Sequence, residues 1–178
     1  MKVLVAYMSK TGNTKKVAEA IFESISDEKE ITRIEDIDSV EGYDVVFLGF
    51  PIHGEGPDKN TVRLLQKHRV QGRKVALFIT HAAPEGDVSK ELQEWLEKFR
   101  QAAGRANIVG LFDCQGQLAK PIKVLMSIMP NPKYRMWAKM DNSQGQPDET
   151  RLDRAQIFSQ NVMGRVHDAK QAPVAEVA

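Results

Sequence analysis

Ser9-Lys10-Thr11-Gly12-Asn13-Thr14 places three hydroxyls, a lysine, a glycine and an asparagine between the apolar run Lys2 to Tyr7 and the helical-looking TKKVAEAIFESI. Residues of these types at a strand-to-helix junction can hold a phosphate. The first backbone N–H groups of a helix lack intrahelical partners and sit at its positive end. Gly12 permits close approach of the backbone to an anion. Ser9, Thr11 and Thr14 supply hydroxyl donors, and Asn13 tolerates the backbone angles of an anion-binding nest. Lys10 belongs to the same loop, with its side chain expected in solvent. Capping a helix needs one such residue, whereas this loop has five, which favours the phosphate. No glycine precedes Gly12 and no lysine follows it where GxxxxGK[ST] requires one, so a nucleoside triphosphate site is disfavoured, and the stretch is not GxGxxG either.

The elements that must position this loop read as an alternation of short apolar runs and longer segments of helical period, the mark of an α/β fold with an open parallel sheet. Five strands are expected, at about Lys2–Tyr7, Ile31–Ile34, Asp44–Gly49, Lys74–Thr80 and Asn107–Asp113, near-continuously apolar as in a sheet covered by helices on both faces. The first helix carries Val17, Ala18, Ile21, Phe22 and Ile25 on one face. A later one, starting at Asp87, carries Val88, Leu92, Trp95, Leu96 and Phe99, and the last carries Leu152, Ala155, Phe158, Val162 and Val166. With 178 residues, one domain over 1–170 is expected, followed by a frayed tail at 171–178. Residues 117–146 exceed what a five-strand unit needs and read as an insertion before the last helix, with a short helix over Ile122–Met129 ended by Pro130 and Pro132.

Bulk composition excludes several function classes. A net charge of +1 gives no electrostatic footprint for nucleic acid. No apolar stretch is long enough for a transmembrane segment, and the start MKVLVAY lacks the regions of a signal peptide, so a cytoplasmic location is expected. The single Cys114 excludes an internal disulfide and a cysteine metal cluster, and, packed at a strand end without a CxxC partner, it is not expected to act as a redox thiol.

VAYMSKTGNTKKVAEAI resembles the phosphate-binding signature of flavodoxins, with Ser9, Thr11, Gly12, Asn13 and Thr14 in place. The resemblance implies a flavodoxin-like, doubly wound five-stranded parallel sheet binding flavin mononucleotide (FMN) without a covalent bond. It further implies that the flavin ring lies between two later loops. The first is GFPIHGEGPDKN, in which Pro51, Ile52, His53 and Gly54 stand where the family covers one ring face. There a peptide carbonyl turns to accept the N5–H hydrogen bond of the reduced flavin, and Gly54 suits that turn. The second is THAAPEGD, in which Thr80, His81, Ala82 and Ala83 stand where the family presents backbone groups to the pyrimidine edge. Neither loop carries the Trp or Tyr that the family often uses. The CQG at 114–116 and QPDETRLDRAQ after it resemble a less studied branch of flavodoxin-domain proteins.

The function implied is that of an FMN-dependent redox protein, an electron-transfer flavodoxin with a redox partner protein. The alternatives are a flavin-dependent reductase of a small hydrophobic acceptor, a quinone or a tetrapyrrole, with the insertion as lid, or a flavin-free anion-binding module. Ordinary flavodoxins tend to be acidic and this chain is not. Its insertion instead interleaves Lys120, Lys123, Lys133, Arg135 and Lys139 with Met126, Met129, Tyr134, Met136, Trp137 and Met140, which suits a partner, a membrane surface or a hydrophobic quinone.

Overall fold

The computed structural model describes residues 1–67, 70, 72–84 and 89–171. Asp87 and Val88, and positions 172–178 of the expected frayed tail, lie outside the described residues. Five parallel strands, β1 (Lys2–Tyr7), β2 (Glu28–Arg33), β3 (Val45–Pro51), β4 (Lys74–His81) and β5 (Asn107–Gln115), pair in the order β2-β1-β3-β4-β5. The helices are α1 (Asn13–Ser24), α2 (Lys59–Lys67), α3 (Lys90–Ala102), α4 (Lys120–Ile128), α5 (Pro132–Met140) and α6 (Glu149–Gln171). The strand order reverses between β1 and β3, and in open α/β sheets such a switch point is where ligands bind, outside the carboxyl ends of the strands.

Because successive strand residues point to opposite faces, the runs expected to be buried on both sides split their side chains between two cores. On one face Leu4, Leu48, Leu77 and Ile79 meet Leu65 of α2 and Leu92, Leu96 and Phe99 of α3. On the other, Val3, Val5, Phe47 and Phe78 meet Val17 and Ile21 of α1 and Ala155, Val162 and Val166 of α6. Two glycines set how closely these layers approach. A Cβ at Gly49 would lie 2.0 Å from the ring of Phe78, its partner across β3 and β4. One at Gly110 would lie 2.8 Å from Phe158 and 2.9 Å from Val162, so α6 can lie directly on β5.

The second strand begins three residues earlier than its apolar run, at Glu28, and Ile34 falls in the 3-10 turn Ile34–Asp36 instead of in the strand. Glu28, Lys29 and Glu30 are strand residues that carry charge because β2 is a sheet edge, where Glu28 and Glu30 are exposed and the Lys29 ammonium reaches the Phe22 and Ile25 carbonyls at the end of α1. The insertion holds two helices where one is expected. Pro130 does follow α4, but Pro132 opens α5, because proline at the first helical position gives up only an N–H with no intrahelical partner. Asn131 caps that helix, its Oδ1 accepting from the Lys133 N–H at 2.9 Å.

The α4–α5 hairpin is tied down at both ends. At its root the Gln117 N–H donates to the Gln146 carbonyl at 3.1 Å, and the Leu118 N–H to the Ser143 hydroxyl at 2.8 Å. At its far side Trp137 meets Trp95 of α3 edge-on at 6.2 Å, and the Lys133 ammonium lies 2.8 Å from Glu91 and 4.7 Å from the Trp137 ring centroid. The hairpin therefore spans from the end of β5 to the first turns of α3.

Candidate functional site

Four loops meet at the carboxyl edge of the sheet, joined by hydrogen bonds between residues distant in sequence. The Met8 N–H donates to the Gly49 carbonyl at 2.9 Å, Ile52 N–H to Thr80 carbonyl at 2.8 Å, and Gly116 N–H to His81 carbonyl at 2.8 Å. Side chains continue the seam. Asn13 Nδ2 donates to the Gln117 carbonyl at 2.8 Å, and the buried hydroxyls of Thr14 and Thr80 are 2.9 Å apart. Residues 9–14, 51–54, 80–83 and 115–117 are thus brought to one edge.

Within residues 9–14 the roles divide. Gly12 is the N-cap of α1 with φ of 93° and ψ of −14°, a left-handed conformation that costs an L-residue about 1–2 kcal/mol and glycine little. Its N–H donates to Ser9 Oγ at 3.1 Å, closing the loop on itself, and nothing lies within 4 Å of where a Cβ would stand. The N–H groups of Thr11, Asn13, Thr14 and Lys15 have no partner among the described residues. No acidic residue occupies the first turn of α1 to oppose an anion. Lys10 and Thr11 are exposed, whereas Thr14 is 1% exposed. The unusual backbone angle falls on Gly12 and not on Asn13, which is the first residue of the helix. Asn13 instead supports the β5 end: a Cβ on Gly116 would come within 2.9 Å of its amide nitrogen.

The loop after β3 leaves Pro51 at the strand end, paired with Thr80, and turns at Gly54 and Gly56, with φ of 75° and 144°. Gly54 is exposed with nothing near its Cβ direction, while a Cβ at Gly56 would lie 3.0 Å from the Lys98 side chain. The loop is braced by its own members: the His53 N–H donates to the Gly56 carbonyl at 3.3 Å, and His53 Nδ1 lies 3.0 Å from Asp58 Oδ2. Asp58 Oδ1 accepts from the Thr61 N–H at 2.8 Å at the start of α2. Burial opposes ionisation of Asp58, yet the hydrogen bonds from Thr61 N–H and His53 outweigh it and hold the carboxyl below its usual value. Sequence reasoning took His53 without this partner; a histidine followed five residues later by an N-capping aspartate was the available signal.

In the loop after β4, Thr80 and His81 are buried, and Ala82 and Ala83 are not. His81 Nε2 lies 3.1 Å from Asp113 Oδ2, and its Nδ1 is buried with no hydrogen-bond partner among the described residues. Asp113 was read only as a strand end. Gln115 also escaped notice: it is 2% exposed, and its Nε2 donates to Asn142 Oδ1 at 2.8 Å, tying the insertion to this loop. Cys114 is buried, and desolvation together with the Asp113 charge pushes its thiol up to about 12, so it stays protonated and inert at neutral pH.

The family model of the flavodoxin domain matches residues 4–160. The chain belongs to the flavodoxin family. A relative, the flavodoxin-like domain-containing protein BilS of Clostridioides difficile, is 33% identical over 175 residues, covering 92% of this chain and 97% of that protein. In fold, this flavodoxin-domain chain is similar to the oxidised flavodoxin 2 of Bacillus cereus, with a TM-score of 0.60 at 20% identity over 93% of this chain and 99% of that one. It is also similar to a flavodoxin from the domain Archaea, with a TM-score of 0.59 at 17% identity over 94% and 99%. Family membership makes it a flavin-binding redox protein with FMN as cofactor. The edge fits that group on its own evidence: a loop of free N–H groups without a carboxylate stands beside two loops, one turning on an open glycine and the other holding an unpartnered buried nitrogen. Among the described residues, no helix is long and apolar enough to cross a membrane.

Proposed function

We propose that the protein is an FMN-dependent electron carrier that serves a protein partner. The observation that carries the cofactor half is the open turn at the head of α1, where Gly12 is left-handed and the N–H groups of Asn13, Thr14 and Lys15 after it have no partner among the described residues at the positive helix end. When bound, FMN supplies reversible acceptance and release of electrons and protons. The chain's residues do the holding. The N–H groups of Thr11, Asn13, Thr14 and Lys15 and the hydroxyls of Ser9 and Thr11 take the phosphate, while the Thr14 hydroxyl fixes the loop against Thr80. Lys10 lies at the rim. Pro51, Ile52 and His53 flank one side of the ring, and Gly54, exposed and at positive φ, is where a peptide can reorient at low cost to offer its carbonyl. Thr80, His81, Ala82 and Ala83 flank the other, with the small alanine side chains leaving room.

The carrier reading is favoured over a lidded enzyme by the hairpin's own surface. Ile128 is 72% exposed and Met140 68%, so these side chains stand in solvent and do not close over a cleft. The lone buried Cys114 supports a reducing, cytoplasmic setting. Titration by flavin fluorescence tests the cofactor assignment: FMN should bind at least about tenfold tighter than riboflavin, since a phosphate on several N–H groups contributes charge-assisted hydrogen bonds. Equal affinities would remove the loop as anchor. Turnover of the FMN-loaded protein with small quinones should be slow relative to electron delivery to a protein acceptor.

A further inference from the structure

The strongest surface feature of the molecule lies on the insertion. Six of its apolar side chains, Ile122, Val124, Leu125, Ile128, Met136 and Met140, are exposed to 47% or more. At about 100° per residue, Ile122, Leu125, Ile128 and Val124 cover an arc of about 160° on α4, and no residue of that helix is buried. Such an arc on a helix is a face made for a partner. Between α4 and α5 runs a shallow, open groove of about 590 Å³, lined by Val124, Ser127 and Ala138 together with Lys120, Lys123, Arg135 and Lys139. The insertion carries five cations and, in Asp141, one carboxylate. Asp141 is engaged by Lys123 at 2.8 Å.

We propose that this groove receives an acidic, amphipathic segment of a protein partner, whose apolar side chains enter between α4 and α5 while its carboxylates meet Lys120, Arg135 and Lys139. The proposal rests on the electron-carrier reading for its purpose, and it names the partner that reading leaves open. Charge complementarity selects the occupant. A second copy of the chain would bring the same cations face to face across a twofold contact, which like-charge repulsion disfavours. A bilayer offers mobile headgroups, whereas a central cation of this site is held in place. Arg135 donates to the Met129 and Pro130 carbonyls at 2.8 Å each, and Lys133 beside it is held by Glu91 at 2.8 Å. Cations fixed in this way favour a protruding segment with carboxylates at defined positions. The hairpin's links to the flavin edge, through Gln115–Asn142 and Gln117–Gln146, place the seated segment beside the cofactor loops.

The test uses the FMN-loaded full chain and fluorescently labelled synthetic amphipathic helices that share a leucine face and differ in flanks of Glu or Lys. The Glu-flanked helix should bind at least about tenfold tighter than the Lys-flanked one, and less tightly as salt rises. Lys120→Glu with Lys139→Glu, both exposed, should invert that preference while FMN affinity stays constant. Val124→Ser, in the groove lining, should weaken both helices without changing their order. The proposal is overturned if the two helices bind alike or neither binds. It is equally overturned if vesicles of phosphatidylserine and phosphatidylcholine recruit the protein through Lys120 and Lys139 while the peptides do not, or if those substitutions abolish a dimer seen by sedimentation. FMN titration is read separately: failure to bind FMN removes the carrier function and leaves the peptide result standing by itself.

Discussion

The loop at residues 9–14 and the insertion at 117–146 sit side by side at the same sheet edge and use opposite means. The loop acts through backbone. Its proposed ligand groups are chiefly N–H donors beside one left-handed glycine, and its side chains, Ser9 on Gly12, Thr14 on Thr80 and Asn13 on Gln117, serve mainly to hold that backbone still. The insertion acts through side chains, presenting apolar and cationic groups outward from two nine-residue helices. A cofactor that must not leave calls for a site built into the core. A partner that must come and go calls for one attached at its margin.

The sharpest way to separate the two is to remove one of them. Replacing residues 120–140 with a short Gly/Ser linker, while keeping the root residues Gln117 and Ser143, should leave FMN affinity within about threefold and lower electron delivery to the protein partner by at least about a hundredfold, the scale on which losing an interface centre acts. Unfolding of the shortened chain, read by circular dichroism, would show that the hairpin is part of the core and break the contrast.

Within the loop, Thr14 and Thr11 should differ in kind. Thr14→Val leaves the buried Thr80 hydroxyl without its partner and should cost about 1–3 kcal/mol in denaturant unfolding. Thr11→Ala, at an exposed position, should leave unfolding unchanged while weakening FMN by about 1–3 kcal/mol, the scale of a hydrogen bond to a charged group. Similar stability losses for both would merge the two roles.

Asn13→Ala should have a smaller effect, about 1 kcal/mol for one hydrogen bond, appearing as faster amide exchange at the hairpin root as well as weaker FMN binding. The smallest effect concerns pH. Burial opposes ionisation of Asp141, but hydrogen bonds from Lys123 and Ser143 outweigh it and hold the carboxyl below its usual value. A depressed folded value means that the unfolded chain takes up the proton first on acidification, so the stabilisation is present above the ordinary aspartate value of about 4 and is lost as pH falls through the folded one. Between pH 5 and 8 the root should show no dependence from this group, and Asp141→Asn should flatten the acid limb of hydrogen exchange at Leu118.

The sequence made legible what depends on local pattern. The apolar runs of β1, β3, β4 and β5 and the periodic faces of α1, α3 and α6 follow from burial on both sides of a sheet, and the hydroxyl-rich turn before α1 is a local motif. What escaped depends on position in the assembled fold. Glu28 to Glu30 are strand because β2 became an edge, and no local property of EKE says so. Pro132 was read as a stop and is a start, since the same ring suits either boundary of a helix. The partners of His53 and His81 were also missed: Asp58 waits on the start of α2, and Asp113 lies across a strand pair 32 residues away. Asn13, read for its backbone tolerance, serves through its side chain on a carbonyl 104 residues distant.

That last hydrogen bond makes the two halves of the edge thermodynamically answerable to each other. Asn13 belongs to the first turn of α1 and Gln117 to the stem of the hairpin, and a Cβ on Gly116 would find no room beside the Asn13 side chain. Any free energy by which an occupied phosphate loop restrains the stem must reappear, equal in size, as tighter FMN binding when the hairpin is engaged. In the proposed carrier role, a protein wired in this way would hold its cofactor most firmly while a partner is docked, the moment at which losing it would strand the electron.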